Sequence, residues 1–237
     1  MQNQIPKESA RAVVETKGLT KIYGGDGVTT QALNGVDLTI NRGEFVAIVG
    51  PSGSGKSTLL NMLGALDTPT SGKVFIDGID ITSLNGARQA ELRNNKIGFV
   101  FQSFNLIPRM NAMKNVMLPL SIRGVPLQER RPRALKMLDI VGLRNKVDHR
   151  PSEMSGGEQQ RVAVARALVT RPPIILGDEP TGNLDTKNTT SLVELLRKLN
   201  KYGMTIIIVT HNLEIANQTD RIVSMRDGKI ERDRLVL

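Results

Sequence analysis

Gly50-Pro51-Ser52-Gly53-Ser54-Gly55-Lys56-Ser57, followed by Thr58, sets glycines, a lysine and a hydroxyl at the spacing G-x-x-x-x-G-K-[ST]. That combination is suited to holding phosphate. The glycines let the backbone curl so that successive N–H groups point inward at the α- and β-phosphates, and a following helix N-terminus adds partial positive charge. Lys56 reaches the β- and γ-phosphates, and the Ser57 hydroxyl is a hard oxygen ligand of the kind Mg²⁺ prefers. A turn that merely joins two elements needs neither the lysine nor the Ser57-Thr58 pair. The stretch therefore predicts nucleoside triphosphate binding.

Further along, Ile174-Ile175-Leu176-Gly177 runs into Asp178-Glu179, two adjacent carboxylates at the end of an apolar segment. Burying such a pair is costly unless each has a task. Asp178 is suited to holding Mg²⁺ through water, and Glu179, which strand alternation points elsewhere, to polarising an attacking water. His211, one of 2 histidines in the chain, ends another apolar run at the same kind of position. It is a candidate for the γ-phosphate. Gln102, after Ile97-Gly98-Phe99-Val100-Phe101, is a third polar group placed to face a ligand at a sheet edge. Ser155-Gly156-Gly157-Glu158-Gln159 reads either as a capping box that starts a helix or as a second phosphate site at a bare helix N-terminus. Residue chemistry leaves those two readings even. Tyr23, before Gly24-Gly25, could stack on a base, but residue type favours a hairpin edge ahead of a loop.

The elements that must position these groups follow from hydrophobic period. Phe45 to Val49 reads as a fully buried strand and Thr58 to Leu63 as a helix, which gives the phosphate loop its strand-to-helix setting. Val13 to Thr16 begins one strand, and Val36, Leu38 and Ile40 alternate in another. Asp77-Gly78 and Asp227-Gly228 mark hairpins. A helix from Val162 to Val169 and an amphipathic one ending near Leu199 alternate with buried runs at Ile174–Leu176 and Thr205–Thr210. From Gln102 to about residue 160, strands vanish and prolines punctuate helical spacing. The expected architecture is α/β: a P-loop NTPase core with a mainly parallel sheet, an antiparallel β subdomain and a helical subdomain inserted over about 102–160. All 237 residues would form one domain.

Composition narrows the partners. With 39% hydrophobic and 23% charged residues the chain has the balance of a globular protein, and its longest apolar runs are strand-length, too short to cross a bilayer. Its polar start, Met1 to Arg11, lacks the apolar core of a secretory signal. Without cysteine there is no thiolate metal site, which fits the cytosol. The net charge of +9 would suit nucleic acid, but only 3% of residues are aromatic and the basic residues are dispersed, so proximity to an anionic membrane surface is favoured instead. Asn145-Lys146-Val147-Asp148 matches the guanine-reading pattern N-K-x-D, yet follows a helical pattern rather than a buried strand. Guanine specificity is not expected from it.

Taken in order, the phosphate loop, Gln102, S-G-G-E-Q, the D-E pair, Gly182-Asn183-Leu184-Asp185 and a strand ending in His211 resemble the ATP-binding subunit of ABC transporters. The likeness spans Val13 to about Ile230. Phe101 to Pro108, Asn115 to Leu120 and Gly177 to Asp185 are similar to the branch serving lipoprotein release, macrolide export and cell-division permeases. The resemblance implies that Tyr23 stacks on adenine, reversing the reading from residue type. It further implies that Ser155 to Gln159, the family's signature, contact the γ-phosphate of a second protomer, so that ATP drives a homodimer. Asp185 becomes the D-loop, His211 the switch histidine, and Gln102, with Ser57 and Asp178, a Mg²⁺ ligand.

The partner it implies is an integral-membrane permease that holds the chain on the inner face of the cell membrane, with nucleic acid excluded. Permease contact is expected near Phe104, Leu106, Ile107, Met110, Met113, Val116 and Met117, although any one of these could simply pack the insertion. Gly177 stands where the family usually has alanine, Thr189 where glycine often follows the D-loop, and Asn212 where aspartate is usual, which puts the orientation of His211 in question. A chromosome or DNA-repair ATPase of the wider class would carry a long coiled coil or zinc module before the signature. Neither is present.

Overall fold

The computed structural model describes residues 11–25 and 27–236; the polar start Met1 to Arg11, read above as lacking a signal, lies outside them up to Ala10. The chain begins with the paired strands β1 (Ala12–Gly25) and β2 (Val28–Asn41), followed by β3 (Phe45–Val49) and α1 (Lys56–Leu63). A hairpin of β4 (Ser71–Ile76) and β5 (Ile79–Asp80) turns at Asp77-Gly78 and leads to α2 (Gly86–Lys96) and β6 (Ile97–Phe101). Three helices come next, α3 (Ala112–Ile122), α4 (Leu127–Ile140) and α5 (Gly156–Leu168). The chain closes with β7 (Ile174–Asp178), α6 (Thr186–Lys201), β8 (Thr205–Val209), α7 (Leu213–Ala216), β9 (Arg221–Arg226) and β10 (Lys229–Leu235).

Two sheets result, a four-stranded antiparallel one ordered β2-β1-β4-β5 and a six-stranded one ordered β10-β9-β3-β8-β7-β6, parallel except at its β10 edge. The α/β class, the mainly parallel sheet and the antiparallel portion match the expectation. Among the described residues no strand lies between Phe101 and Ile174, and the helical stretch sits there.

Side-chain alternation assigns the two faces of the large sheet to two cores. Phe45, Ala47 and Val49 of β3 join Ile206 and Ile208 of β8 in a cluster with α3, α4 and α5. Val46 and Ile48 join Ile207 and Val209 in the other, with α1 and the small sheet. Because β3 and β8 are buried along their whole length, each reads in sequence as an unbroken apolar run, as strands covered on both faces do. Each buried Val, Ile or Phe among them contributes roughly 1.5–3 kcal/mol.

Three boundaries differ from the sequence reading. Strand β1 runs through Tyr23 to Gly25, so the tyrosine is in a strand and not before a loop. Helix α5 starts at Gly156, where the Ser155 capping box puts it, and so takes in Gly156 to Arg161 ahead of the expected Val162–Val169 run. Helix α2 had no sequence counterpart: its single buried residue, Leu92, leaves no apolar stripe to see. Its start is nonetheless fixed by Asn85, which accepts a hydrogen bond from the Arg88 N–H.

Candidate nucleotide site

Parallel strands in register deliver their carboxyl ends to one edge, and here the register aligns Phe101 with Asp178, Asp178 with Val209, and Val209 with Ile48. The groups that follow each strand are therefore delivered to one edge of the sheet: Gln102 after β6, Glu179 after β7, Thr210-His211 after β8 and the Gly50 loop after β3. A pocket of about 520 Å³ opens there, lined by Gly50, Ser52, Gly53, Gly55, Lys56, Ser57 and Thr58 of the loop together with Glu179, His211 and Tyr23. Strand β2 contributes Thr30, Gln31 and Ala32 to the same pocket.

The β2 residues were not foreseen, because what brings them in is a register shift. Lys21 pairs with Leu33 while the next residue, Ile22, pairs with Gln31, so Ala32 is an extra residue in β2. A Cβ on Gly55 would meet the Ala32 carbonyl oxygen at 2.4 Å, and the Gly55 φ of 97° is itself disfavoured for other residues. The second sheet and the phosphate loop thus touch where only glycine fits.

Lys56 is folded onto its own loop, its Nζ donating to the carbonyls of Gly50 at 2.8 Å and Pro51 at 2.7 Å. Ser57 Oγ donates to Asp178 Oδ1 at 3.2 Å, so the two oxygens expected to share a cation are side by side. Burial pushes the Asp178 carboxyl above its usual range, with the Glu179 charge adding to the rise and the Ser57 hydrogen bond and Lys56 charge opposing it. Among the described residues no cluster of three or more His, Cys, Asp or Glu could hold a metal alone. The Ser57–Asp178 pair fits Mg²⁺, which takes its other ligands from phosphate and water.

Glu179 is not oriented by strand alternation as expected. Its φ is 46°, in the left-handed region, while its N–H donates to Val209 O at 3.0 Å. That non-glycine backbone conformation is sparsely populated and is held here by the neighbouring strand. The turn sets its carboxylate against His211, whose Nδ1 lies 2.9 Å from Glu179 Oε1. Asn212 is occupied elsewhere, capping α7 by accepting from the Glu214 N–H at 2.8 Å, and His211 is oriented by Glu179. At Gly177, an added Cβ would come to 3.0 Å from Ile208 Cγ2 and 3.2 Å from Pro180 Cγ, a close fit.

Gln102 and the signature do not line this pocket. The Gln102 amide donates to Asn183 Oδ1 at 3.4 Å, and a Cβ on Gly182 would meet it at 2.6 Å. Ser155 caps α5: it accepts from the Glu158 N–H at 3.3 Å while Glu158 accepts from the Ser155 N–H at 3.1 Å. Asp185 caps α6 and accepts from the Asn188 side-chain amide at 2.9 and 3.0 Å. Gly157 lies against that same Asn188, with an added Cβ only 2.1 Å from its Oδ1, whereas one on Gly156 would find nothing nearer than Phe104 Cζ at 3.6 Å. Gly157→Ala should therefore lower the melting temperature of the nucleotide-free chain by the equivalent of about 1–3 kcal/mol of overpacking, and Gly156→Ala should not. Equal melting of the two variants would contradict this packing.

Arg166, which the sequence reading missed, links α5 to the turn after Gln102. It donates to the carbonyls of Phe104 and Asn105, both left-handed, and burial pulls its guanidinium below its usual range. The Asn145–Asp148 stretch serves the helical region instead of a base: Lys146 pairs with Glu158 at 3.7 Å and Asp148 accepts from Asn111 at 3.4 Å. Met113 and Val116, expected at the permease contact, are 5% and 0% exposed within the helical core, so these two pack the insertion and do not face a groove. No helix of the described residues is long and apolar enough to cross a membrane.

The model of the ABC transporter family matches residues 33–182. The chain belongs to the ABC transporter ATP-binding family. This ABC cassette is 52% identical over 221 residues to an ABC transporter ATP-binding protein of Thermotoga maritima, covering 93% of this chain and 94% of that one. It is 47% identical to the macrolide export ATP-binding/permease protein MacB of Brucella melitensis over 93% of its own length, which is 34% of that longer protein. The post-hydrolysis dimer of the ATP-binding cassette MJ0796 with ADP and Pi, a protein of Methanocaldococcus jannaschii, superimposes with a TM-score of 0.88 at 46% identity. That match covers 94% of this chain and 99% of the other. The cassette is an ATPase.

Proposed function

We propose that the cassette works as one of a pair, each chain supplying the phosphate loop of one site and the signature of the other, and that ATP-driven closure moves a separate membrane permease from the cytoplasmic side. One observation carries this reading: Ser155, Gly156 and Gly157 sit on the same chain as a phosphate pocket they do not line. A second copy would bring its Ser155–Gln159 segment to that pocket. Asn188, which joins Gly157 to Asp185, would let the signature and the D-loop move together.

Within the site, Tyr23 takes the base and Gly50 to Thr58 cradle the phosphates. Lys56 leaves the Gly50 and Pro51 carbonyls for the β- and γ-phosphates. Ser57, Asp178 through water, and Gln102 would hold Mg²⁺, which supplies charge neutralisation to the developing phosphoryl transition state. Gln102 must leave Asn183 to take part. Glu179 orients or deprotonates the attacking water. His211, held by Glu179, reads the γ-phosphate together with Gln102.

The permease surface is best placed at an apolar groove of about 400 Å³ lined by Phe99, Phe101, Asn105, Leu118, Pro119 and Ile122, with Arg166 at its wall. It borders the stretch from Phe104 to Met117, and Arg166 ties it to the turn after Gln102 and to the signature helix. Ile122 is 71% exposed beside it. Ile122→Glu should keep ATPase rate and melting temperature and lose co-purification of the permease. Retained association would move the contact elsewhere on the cassette.

A further inference from the structure

The base end of the pocket contains a three-residue arrangement that the roles above leave unused. Lys21 and Tyr23, two apart on β1, lie on one side of the strand. Lys21 Nζ sits 4.8 Å from the centroid of the Tyr23 ring and donates to Asp67 Oδ1 at 2.8 Å and to the Thr68 carbonyl at 2.7 Å. The Tyr23 hydroxyl donates to the other oxygen, Asp67 Oδ2, at 2.9 Å. Asp67, in the connection after α1, therefore grips both side chains.

The Lys21 and Asp67 side chains are only 13% and 30% exposed, so this is not an ordinary solvated ion pair. Burial raises the Tyr23 phenol, and the Asp67 hydrogen bond raises it further. Burial alone would raise Asp67 too, but the bonds from Lys21 and Tyr23 outweigh it and hold the carboxyl below its usual range. Tyr23 itself is 40% exposed at the pocket rim, where an unrestrained ring would lose rotamer freedom on every binding event.

We propose that Asp67 and Lys21 are positioning residues for the nucleotide base: Asp67 fixes the Tyr23 ring by its hydroxyl, and the Lys21 ammonium covers one ring face, leaving the other pre-set for stacking. The inference rests on Tyr23 taking the base as read above. Pre-setting the ring removes an ordering cost from binding, and the cation–π contact holds the ring from behind the stacking face. Lys21 and Asp67 hydrogen-bond each other, the Thr68 carbonyl and the Tyr23 hydroxyl, and no residue of the phosphate loop.

Calorimetric titration with ADP and with ribose 5′-diphosphate, which lacks the base, tests this in the parent, Tyr23→Ala, Asp67→Ala, Tyr23→Phe and the Tyr23→Phe/Asp67→Ala double variant. Tyr23→Ala should weaken ADP roughly five- to 150-fold, the range for loss of one stacked base. Asp67→Ala should weaken it roughly two- to tenfold, the worth of a lost hydrogen bond. Ribose diphosphate affinity should not move in either, and Asp67→Ala should lose most of its effect once Tyr23→Phe has removed the hydroxyl. If Tyr23→Ala weakens ADP and Asp67→Ala does not, the positioning role is overturned while the base reading stands. Unchanged ADP affinity in Tyr23→Ala overturns both. Equal losses for ADP and ribose diphosphate in Asp67→Ala would mean that the phosphate loop has been disturbed, and would also overturn the proposal.

Discussion

Replacing Glu179 by glutamine is expected to cut ATP turnover by roughly 10²- to 10⁴-fold, the range for loss of a positioned general base, while ATP affinity stays near that of the parent. Glutamine preserves the shape of the side chain and can still hydrogen-bond His211 Nδ1 at the observed 2.9 Å through its amide. The left-handed backbone at residue 179 and its hydrogen bond to Val209 O are independent of the side-chain charge. What disappears is the ability to draw a proton from water. A steady-state rate near the parent's, measured beside an ATP titration, would remove Glu179 from the chemistry.

Lys56→Ala should act on binding. The lysine donates to two loop carbonyls in this structure and is the one cation among the pocket-lining residues of the loop. Truncating one partner of a desolvated charged contact costs about 2–5 kcal/mol, so ATP affinity should fall by roughly 30-fold or more. Direct titration with ATP and Mg²⁺ decides it. Undiminished affinity would contradict the assignment of Gly50 to Thr58 as the phosphate cradle.

The sequence was most informative where a buried strand ends in chemistry. Phe45–Val49, Ile174–Asp178 and Thr205–Val209 are short, apolar and covered on both faces, so their existence and the groups after them could be read, with bounds off by one or two residues in the last two. The capping box at Ser155 was legible too, because both partners lie within one helical turn. What escaped depends on partners far apart in the chain. The extra residue Ala32 shows only in the register of β1 against β2. Tyr23 is tied to Asp67, 44 positions away, and Arg166 to Asn105, 61 away. Met113 illustrates the converse: a methionine at helical spacing looks the same whether it lines a groove or fills a core, and three helices packing together put it inside. Glu179 was read as a strand residue, and the left-handed turn that aims it at His211 leaves no mark in residue type.

The central claim, that two chains share each ATP between the loop of one and the signature of the other, is tested most directly by the mass of the slow Glu179→Gln variant in solution, with and without ATP. The account predicts a monomer without nucleotide and a dimer with ATP and Mg²⁺. It further predicts a monomer under both conditions when Ser155→Arg is added, because a bulky cation at the α5 cap blocks the approach while the phosphate pocket, which Ser155 does not line, still binds ATP. An ATP-dependent dimer that survives Ser155→Arg would show that the signature does not face the partner's nucleotide, and would contradict the account.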